Sequence, residues 1–158
     1  MSNVLLINPP IRLATQPCEF PIGLGIIANI LENKGHRVDV IDANAHRYSK
    51  GQLVKLLSTH KDADIVGISG LITTYGFQKW LAQEVRKIIP RAVIIFGGGC
   101  VTSIPDIVFN NCNVDFGVLQ EGENTVLELI DEITGAGEFD KIKGIVFRRN
   151  GKYVITDS

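Results

Sequence analysis

The sequence predicts a doubly wound α/β domain built on a parallel sheet. Short runs of β-branched and aliphatic residues recur along the 158-residue chain at intervals typical of strand-helix units. Segments with helical periodicity and recognisable ends separate these runs. Because crossovers between parallel strands are right-handed, this alternation places helices on both faces of one sheet.

Five of the apolar runs have the length and composition of buried parallel strands. They are Val4 to Ile7, Arg37 to Ile41, Ile65 to Ile68, Val93 to Phe96 and Val114 to Leu119. We therefore expect a five-stranded parallel sheet with the flavodoxin-like order 2-1-3-4-5, a Rossmann-like α/β architecture.

Helix boundaries are indicated by capping residues, glycine and proline. Ser49 is a candidate amino-terminal cap, Gly35 and Gly135 follow two helical patterns, and Pro90 closes another. The predicted helices are Ile22 to Glu32, Ser49 to Ser58, Gly76 to Ile89, Pro105 to Asn110 and Asn124 to Thr134.

The last segment departs from this rhythm. Two strand-like runs, Gly144 to Arg148 and Lys152 to Ile155, flank Asn150-Gly151, a pair that favours a two-residue hairpin turn. We interpret the segment as an antiparallel appendage. The expected organisation is a Rossmann-like domain over residues 1–140 and a C-terminal β-hairpin over residues 141–158 that leads towards a further domain.

Composition excludes several classes of protein. Apolar residues make up 45% and charged residues 21%, as in globular proteins, and a net charge of -1 gives no field that would attract nucleic acid. Apolar runs are only of strand length, so we expect no membrane span and no secretion leader. A cytoplasmic location follows from that expectation. The three widely spaced cysteines, Cys18, Cys100 and Cys112, fit neither a disulfide framework nor a metal site, which predicts reduced thiols.

In open α/β sheets, ligands bind in the crevice at the carboxyl ends of the strands. The first loop there begins with Asn8-Pro9-Pro10, includes Arg12, and has a length that indicates a functional role, although a plain surface loop is the alternative. It lacks both glycine-rich phosphate-binding fingerprints, which argues against nucleotide binding of those kinds. We interpret Gly23 in the following helix as a close-packing residue.

The second and third loops offer polar groups. Asp42 ends the second strand, where its carboxylate could accept hydrogen bonds from a ligand or cap the next segment. A turn of small and hydroxyl-bearing residues follows the third strand: Ser69, Gly70, Leu71, Thr73, Thr74 and Tyr75. A phosphoacceptor domain would need an aspartate where Ser69 stands, so that function is rejected.

The fourth and fifth loops complete the predicted crevice. Gly97, Gly98 and Gly99 end a buried strand before Cys100, which indicates either a flat ligand pressed against the backbone or a sharp corner. Glu121, Gly122 and Glu123 open the last helix, where the carboxylates could contact a ligand or balance the helix dipole.

These loops do not assemble a catalytic constellation or a metal site. His36, His46 and His60 are predicted to be solvated and away from the crevice. Cys100 is the only thiol predicted to line it, and no histidine lies nearby to activate that thiol. The residues therefore favour binding over catalysis.

The spacing of Ser69-x-Leu71 and Gly97-Gly98 resembles the serine-x-leucine and glycine-glycine motifs of cobalamin-binding domains. Further matches resemble the amino-terminal module of cobalamin-dependent radical S-adenosylmethionine enzymes, including the anaerobic magnesium-protoporphyrin monomethyl ester oxidative cyclases. These matches are Asn8-Pro9-Pro10, Pro21 to Ala28, Gly35-His36-x-Val38, Ile41-Asp42-Ala43, Val66 to Ser69 and Glu121-Gly122-Glu123.

The resemblance implies a cobalamin site whose two central motifs line the tunnel for the nucleotide tail of the cofactor. Asn8-Pro9-Pro10-Ile11-Arg12-Leu13 stands where many cobalamin-binding domains carry a cobalt-ligating histidine. Cobalamin would therefore bind without a histidine ligand, with water or a first-loop residue such as Arg12 facing cobalt.

The resemblance also implies a radical S-adenosylmethionine domain in cis, with a 4Fe-4S cluster and S-adenosylmethionine that this segment does not bind. The parent enzyme would perform methyl transfer, or cyclisation or rearrangement of a metabolite or tetrapyrrole. The alternative is a non-catalytic interaction domain that has lost cobalamin, with Cys100 and the proline-rich loop contacting a partner. A small-nucleotide binding module is a further rival, which the missing phosphate fingerprint disfavours.

Overall fold

The structure is a computed structural model that describes residues 1–11 and 21–157. These residues form one sheet of seven strands in the order β2-β1-β3-β4-β5-β6-β7. The strands are β1 (Asn3–Asn8), β2 (Arg37–Asp42), β3 (Ile65–Ser69), β4 (Val93–Gly97), β5 (Phe116–Val118), β6 (Ile145–Arg149) and β7 (Lys152–Ile155).

The first five strands are parallel and have the predicted order 2-1-3-4-5. β1 lies between β2 and β3, so the strand order reverses beside β1. β3, β4 and β5 continue the parallel pairing outwards. The switch point predicted to carry the ligand crevice therefore exists next to β1 and β3.

The closing hairpin is antiparallel, as predicted, and it extends the sheet from the five predicted strands to seven. β6 pairs antiparallel with β5 through Phe116 and Phe147, and β7 pairs with β6, which makes the sheet mixed and seven-stranded. The apolar start of β6, Ile145 to Phe147, is buried and covers the edge of the short β5. The predicted turn is present, with positive φ at Asn150 and Gly151.

The five predicted helices are all present, with each end within one residue of the prediction. They are α1 (Ile22–Asn33), α3 (Lys50–Thr59), α4 (Tyr75–Ile88), α6 (Pro105–Asn111) and α7 (Glu123–Thr134), and two short helices were not predicted, α2 (Ala43–His46) and α5 (Gly99–Ser103). Ser49 is the predicted cap of α3, where its hydroxyl accepts the backbone N–H of Gln52. No helix among the described residues has the length and apolar character needed to cross a membrane.

The two faces of the sheet carry separate apolar cores. Alternate strand residues such as Leu5, Val66 and Phe96 face α3, α4, α5 and α6. The residues between them, such as Leu6 and Ile95, face α1 and α7. The cavity that holds the candidate site lies on this second face.

Candidate functional site

A cavity of about 300 Å³ lies between α1, α7 and the sheet, a size within the range of small-molecule sites. Its walls come from β1, β3, β4 and β5 and from the two helices. Six residues of the predicted crevice line it: Ser69, Gly97, Gly98, Glu121, Gly122 and Glu123. The third, fourth and fifth loops therefore do converge at the carboxyl ends of the strands.

Two glycines leave space for this cavity. Gly97 follows Ile95 by two residues in β4, so its Cα–H faces the same side of the sheet as that cavity-lining side chain. A Cβ added at Gly97 would have no atom of the described residues within 4 Å. In the first turn of α1, Gly23 also lines the cavity, and an added Cβ there would likewise meet none of the described residues within 4 Å. Close packing, the role predicted for Gly23, is therefore wrong.

The backbone requirement at Gly98 has a different cause. Its φ is +80°, and an added Cβ would lie 2.9 Å from the carbonyl oxygen of Gly70. Gly70 in turn donates its N–H to the carbonyl of Gly97 at 3.2 Å and accepts the N–H of Cys100 at 2.9 Å. Two loops thus cross in direct contact, and the close approach that demands glycine at position 98 is made by the protein's own backbone.

The third loop forms a short 3-10 helix over Ile72–Thr74, and a side chain of α4 holds it in place. The Gln78 side chain is fully buried and donates through Nε2 to the carbonyl of Leu71 and to Oγ1 of Thr74, both at 2.9 Å. Leu71 stays 46% exposed beside the glycine loop. Sequence reasoning missed Gln78, because a glutamine inside an amphipathic helix carries no signal for such a role.

The side chains predicted at positions 73 to 75 do not line the cavity. Thr73 is exposed, and Thr74 is buried with its hydroxyl donating to the Leu71 carbonyl at 2.9 Å. Tyr75 is half-buried and packs against the core of the opposite face. These residues shape the loop from behind.

Asp42 caps the start of α2, which is one of the two roles considered for it. Its Oδ1 accepts the N–H groups of Asn44 and Ala45 at the start of α2 and the side-chain N–H of Asn8 at 2.9 Å. Asn44, which was not predicted, accepts the backbone N–H of Ile11 at 2.9 Å. Pro9 and Pro10 are buried beside this network, whereas Arg12 and Cys18 lie outside the described residues.

The fifth loop is joined to the fourth through the hydroxyl of Thr102, which accepts the backbone N–H of Gln120. Gln120 lines the cavity and adopts a positive φ of 56°, which few residues other than glycine do. Glu121 is exposed, and Glu123 lies in the first turn of α7, where a carboxylate favours the helix dipole, one of the two roles considered for it.

Cys100 does not line the crevice, contrary to the prediction. It is fully buried in the core of the opposite face, because α5 begins at Gly99 and turns the next side chain inwards. Burial raises the pKa of the Cys100 thiol, and the neighbouring Gln78 amide partly offsets that rise. A thiol in this position can neither attack a ligand nor contact a partner protein.

The three histidines lie away from the cavity as expected, but two of them are only half exposed. His36 accepts the backbone N–H of Ser2, and His60 bonds the Leu56 carbonyl at 2.8 Å. His46 is exposed and stacks on Tyr48. Within residues 1–11 and 21–157, no group of three or more histidine, cysteine, aspartate or glutamate side chains is placed to hold a metal ion.

The doubly wound sheet and its one-sided cavity define a small-molecule-binding α/β domain whose ligand enters at the carboxyl ends of the strands. The comparisons with known proteins name the family. The profile described as "B12 binding domain" matches residues 10–130, and the chain belongs to this family.

Two curated relatives align with nearly the whole chain. One is a cytidylyl-2-hydroxyethylphosphonate methyltransferase from Streptomyces wedmorensis, which is 30% identical over 97% of this chain and 33% of its own length. The other is an anaerobic magnesium-protoporphyrin IX monomethyl ester cyclase from Synechocystis sp., which is 29% identical over 98% of this chain and 32% of its own length. The chain thus spans about a third of these relatives.

Solved structures share the fold. The radical S-adenosylmethionine methyltransferase TsrM from Kitasatospora setae superposes with a TM-score of 0.84 at 21% identity, covering 99% of this chain and 30% of TsrM. The cobalamin-dependent S-adenosylmethionine radical enzyme OxsB gives a TM-score of 0.83 at 19% identity, over 100% of this chain and 22% of OxsB. At these identities the likeness establishes the fold.

Proposed function

We propose that this chain is the cobalamin-binding module of a larger radical S-adenosylmethionine enzyme. The observation that carries the proposal is the apolar cavity onto which Ser69, Gly97 and Gly98 converge, because these are the motif residues expected to line a tunnel for the cofactor's nucleotide tail. Membership of the B12-binding family supplies the identity of the ligand.

The residues of the site fit such a cofactor. The open space above Gly97 and Gly23 accepts a flat group that any side chain there would displace. The exposed Leu71 and Ile72, on the third loop outside the cavity lining, would offer apolar contact to the corrin ring. The carboxylates of Glu121 and Glu123 can accept hydrogen bonds from the amide groups at the edge of the corrin.

When bound, cobalamin would supply a cobalt ion that can carry a methyl group. The part assigned to this chain is to bind the cofactor, orient it and shield its tail from water. The sequence has no histidine in the loop between Asn8 at the end of β1 and Ile22 at the start of α1, and Asn8 donates to Asp42, so we propose that this chain gives cobalt no histidine ligand. That water or a first-loop residue such as Arg12 faces cobalt stays a prediction, and Arg12 lies outside the described residues.

The activity of the whole protein is a proposal of a different kind, since the chain spans only a third of its curated relatives. We propose a radical S-adenosylmethionine domain in cis, beyond the hairpin of residues 141–158, that holds the 4Fe-4S cluster and S-adenosylmethionine. Residues 1–140 would then form the cofactor domain. A methyltransferase and a cyclase among the relatives support methyl transfer or ring formation as the reaction class. Free, buried thiols at Cys100 and Cys112 support a reducing, cytoplasmic location.

The test is to titrate the purified chain with hydroxocobalamin while recording the visible spectrum and the melting temperature. Retained corrin after gel filtration and a raised melting temperature are expected, because a ligand that binds only the folded state stabilises it by about 2.7 kcal/mol at a hundredfold excess over its dissociation constant. A chain that retains no corrin would instead agree with the alternative of an interaction domain that has lost cobalamin.

A matched pair of glycine variants localises the binding. Gly23→Leu and Gly51→Leu each replace the second residue of a helix at a position with open space, and only Gly23 lines the cavity. Both variants should fold, because leucine has a higher helix propensity than glycine by about 0.8 kcal/mol. We expect Gly23→Leu to lose corrin retention and Gly51→Leu to keep it. Equal corrin retention by the two variants would show that the ligand does not bind in this cavity.

A further inference from the structure

We infer that the cavity selects cobamides by their lower base, accepting a weakly polar benzimidazole and disfavouring a purine such as adenine. This inference rests on the proposed function, since it concerns the cofactor tail placed between α1 and α7. It goes further by specifying which chemical class of tail the cavity takes.

The cavity is deep enough to enclose a lower base. On β3 it extends from Ser69 at the carboxyl end to Ile65 at the amino end, which is about 13 Å along a strand. On β1 it reaches Val4, and on α1 it reaches Leu31 near the end of that helix. A base inserted between the helices would therefore lie well below the polar mouth.

Polar side chains are confined to that mouth. Among the described residues that line the cavity, those with polar side chains are Ser69, Gln120, Glu121 and Glu123, at the ends of β3 and β5 and the start of α7. Beyond them the lining side chains are aliphatic, as at Val4, Leu6, Ile65, Ile95, Val126 and Ile130. The strand backbones beneath are paired with one another in the parallel sheet, so they offer few free groups.

The polarity of the base then decides its affinity. Adenine carries an amino group and several ring nitrogens, each of which loses its hydrogen bonds with water on entering an aliphatic cavity. A benzimidazole attached through one nitrogen leaves one ring acceptor, and a phenolic base leaves no ring nitrogen. Water would not replace those hydrogen bonds, because a buried water needs two or more polar partners, and the described side chains that line the cavity below its mouth are aliphatic.

The expected discrimination is moderate. Apolar pockets disfavour a ligand that adds one polar group by up to about a hundredfold. We therefore expect the adenine-containing cobamide to bind between roughly tenfold and a hundredfold more weakly than cobalamin. A phenolic cobamide should bind more tightly than the adenine form.

The experiment measures dissociation constants of the purified chain for cobalamin, an adenine cobamide, a phenolic cobamide and cobinamide, which has no base. The inference predicts that the adenine cobamide binds more weakly than both other cobamides. It also predicts that cobinamide binds more weakly than cobalamin. Equal affinity for cobalamin and the adenine cobamide would overturn the selectivity while leaving the proposed function intact. If cobalamin itself fails to bind, the proposed function fails.

A variant tests whether the cavity lining is the cause. Val126→Thr places one hydroxyl on α7 inside the cavity with little change in volume, and that hydroxyl can accept from an amino group while donating to the carbonyl of Gly122 one turn earlier. This variant should lower the ratio of the dissociation constant for the adenine cobamide to that for cobalamin severalfold. Val54→Thr, on α3 away from the cavity, should leave the ratio as in the unsubstituted chain. An unchanged ratio in Val126→Thr would show that the base lies elsewhere.

Discussion

The hydroxyl oxygen of Thr102 accepts the backbone N–H of Gln120 at 2.9 Å. The same hydroxyl donates to the carbonyl of Gly98 at 3.1 Å. One side chain of α5 thus joins the glycine loop after β4 to the loop that begins α7, and it supports the positive φ of Gln120 at the mouth of the cavity.

Removing this hydroxyl should loosen the mouth. We expect Thr102→Val, which keeps the shape but cannot pair with Gln120, to lower the free energy of unfolding by about 1 kcal/mol and to weaken cobalamin binding severalfold. Thr102→Ser restores the hydroxyl and should bind almost as tightly as the unsubstituted chain. Urea unfolding and a visible-spectrum titration measure both effects, and equal affinities for the two variants would argue against the role of the hydroxyl.

Adjacent glycines should respond in opposite ways to alanine. Gly98→Ala combines a positive φ with a contact of 2.9 Å to the Gly70 carbonyl, so we expect a loss of at least about 1 to 3 kcal/mol of stability. Gly97→Ala adds a methyl group to open space and should cost little. Thermal unfolding of the two variants checks this order, and a Gly98→Ala protein as stable as Gly97→Ala would contradict the described crossing of the two loops.

At the opposite end of the sheet, an ion pair offers a control that separates stability from binding. Arg86 contacts Asp115 at 2.6 Å and donates to the Ala92 carbonyl at 2.9 Å. Arg86→Met should lower the free energy of unfolding by about 1 to 3 kcal/mol, because it leaves a half-buried carboxylate and a carbonyl with fewer partners. Below the unfolding transition its dissociation constant for cobalamin should not change.

Lys87 supplies the matched comparison for Arg86. Its ammonium pairs with Glu84 on the surface of α4, and exposed pairs of this kind contribute little. Lys87→Met should therefore change the free energy of unfolding by no more than about 0.5 kcal/mol. A larger effect at Lys87 than at Arg86 would contradict the assigned importance of the Asp115 contact.

The buried thiols make stability depend on pH. Burial raises the pKa of Cys100 and of Cys112 in the folded chain, so above about pH 8.5 the unfolded chain loses thiol protons that the folded chain retains. The stabilisation is complete below the unfolded pKa and is lost as pH rises through the folded values. Urea unfolding at pH 7.5 and at about pH 9.5 should show this fall, and a variant with alanine at both positions should lack most of it.

The same thiols should be unreactive in the native state. In a Cys18→Ser background, a disulfide reagent should label Cys100 and Cys112 only after denaturation, because their residues are 0% and 4% exposed. Rapid labelling at neutral pH would contradict this burial.

Local patterns were sufficient to predict the parallel strands and the longer helices. The strands are continuous β-branched runs, and caps such as Ser49 mark the helix ends because they satisfy backbone groups within a few residues. The attachment of β6 to β5 could not be read in this way, because a hairpin signal describes its own turn and not the edge on which it packs.

The site was predicted in part for the same reason. Ser69, Gly97 and Gly98 have a recognisable spacing and do meet at the cavity. Gly23 was missed because sequence does not distinguish a glycine that permits close packing from one that leaves space. Thr102 was missed because the loop that it contacts is distant along the chain. Gln78 was missed because it contacts, from inside α4, the loop that precedes that helix.

The cavity lies on one face of the sheet, so we expect the two faces of the domain to differ in rigidity. The α3 and α4 side is packed without a comparable gap among the described residues, while α1 and α7 meet across the cavity. Hydrogen exchange should therefore be fastest in α1 and α7 and should slow there when the cavity is filled. A domain that packs against α1 and α7 would contact helices that are more rigid when the cofactor is bound. Cofactor binding could then affect that domain without a change in the average structure.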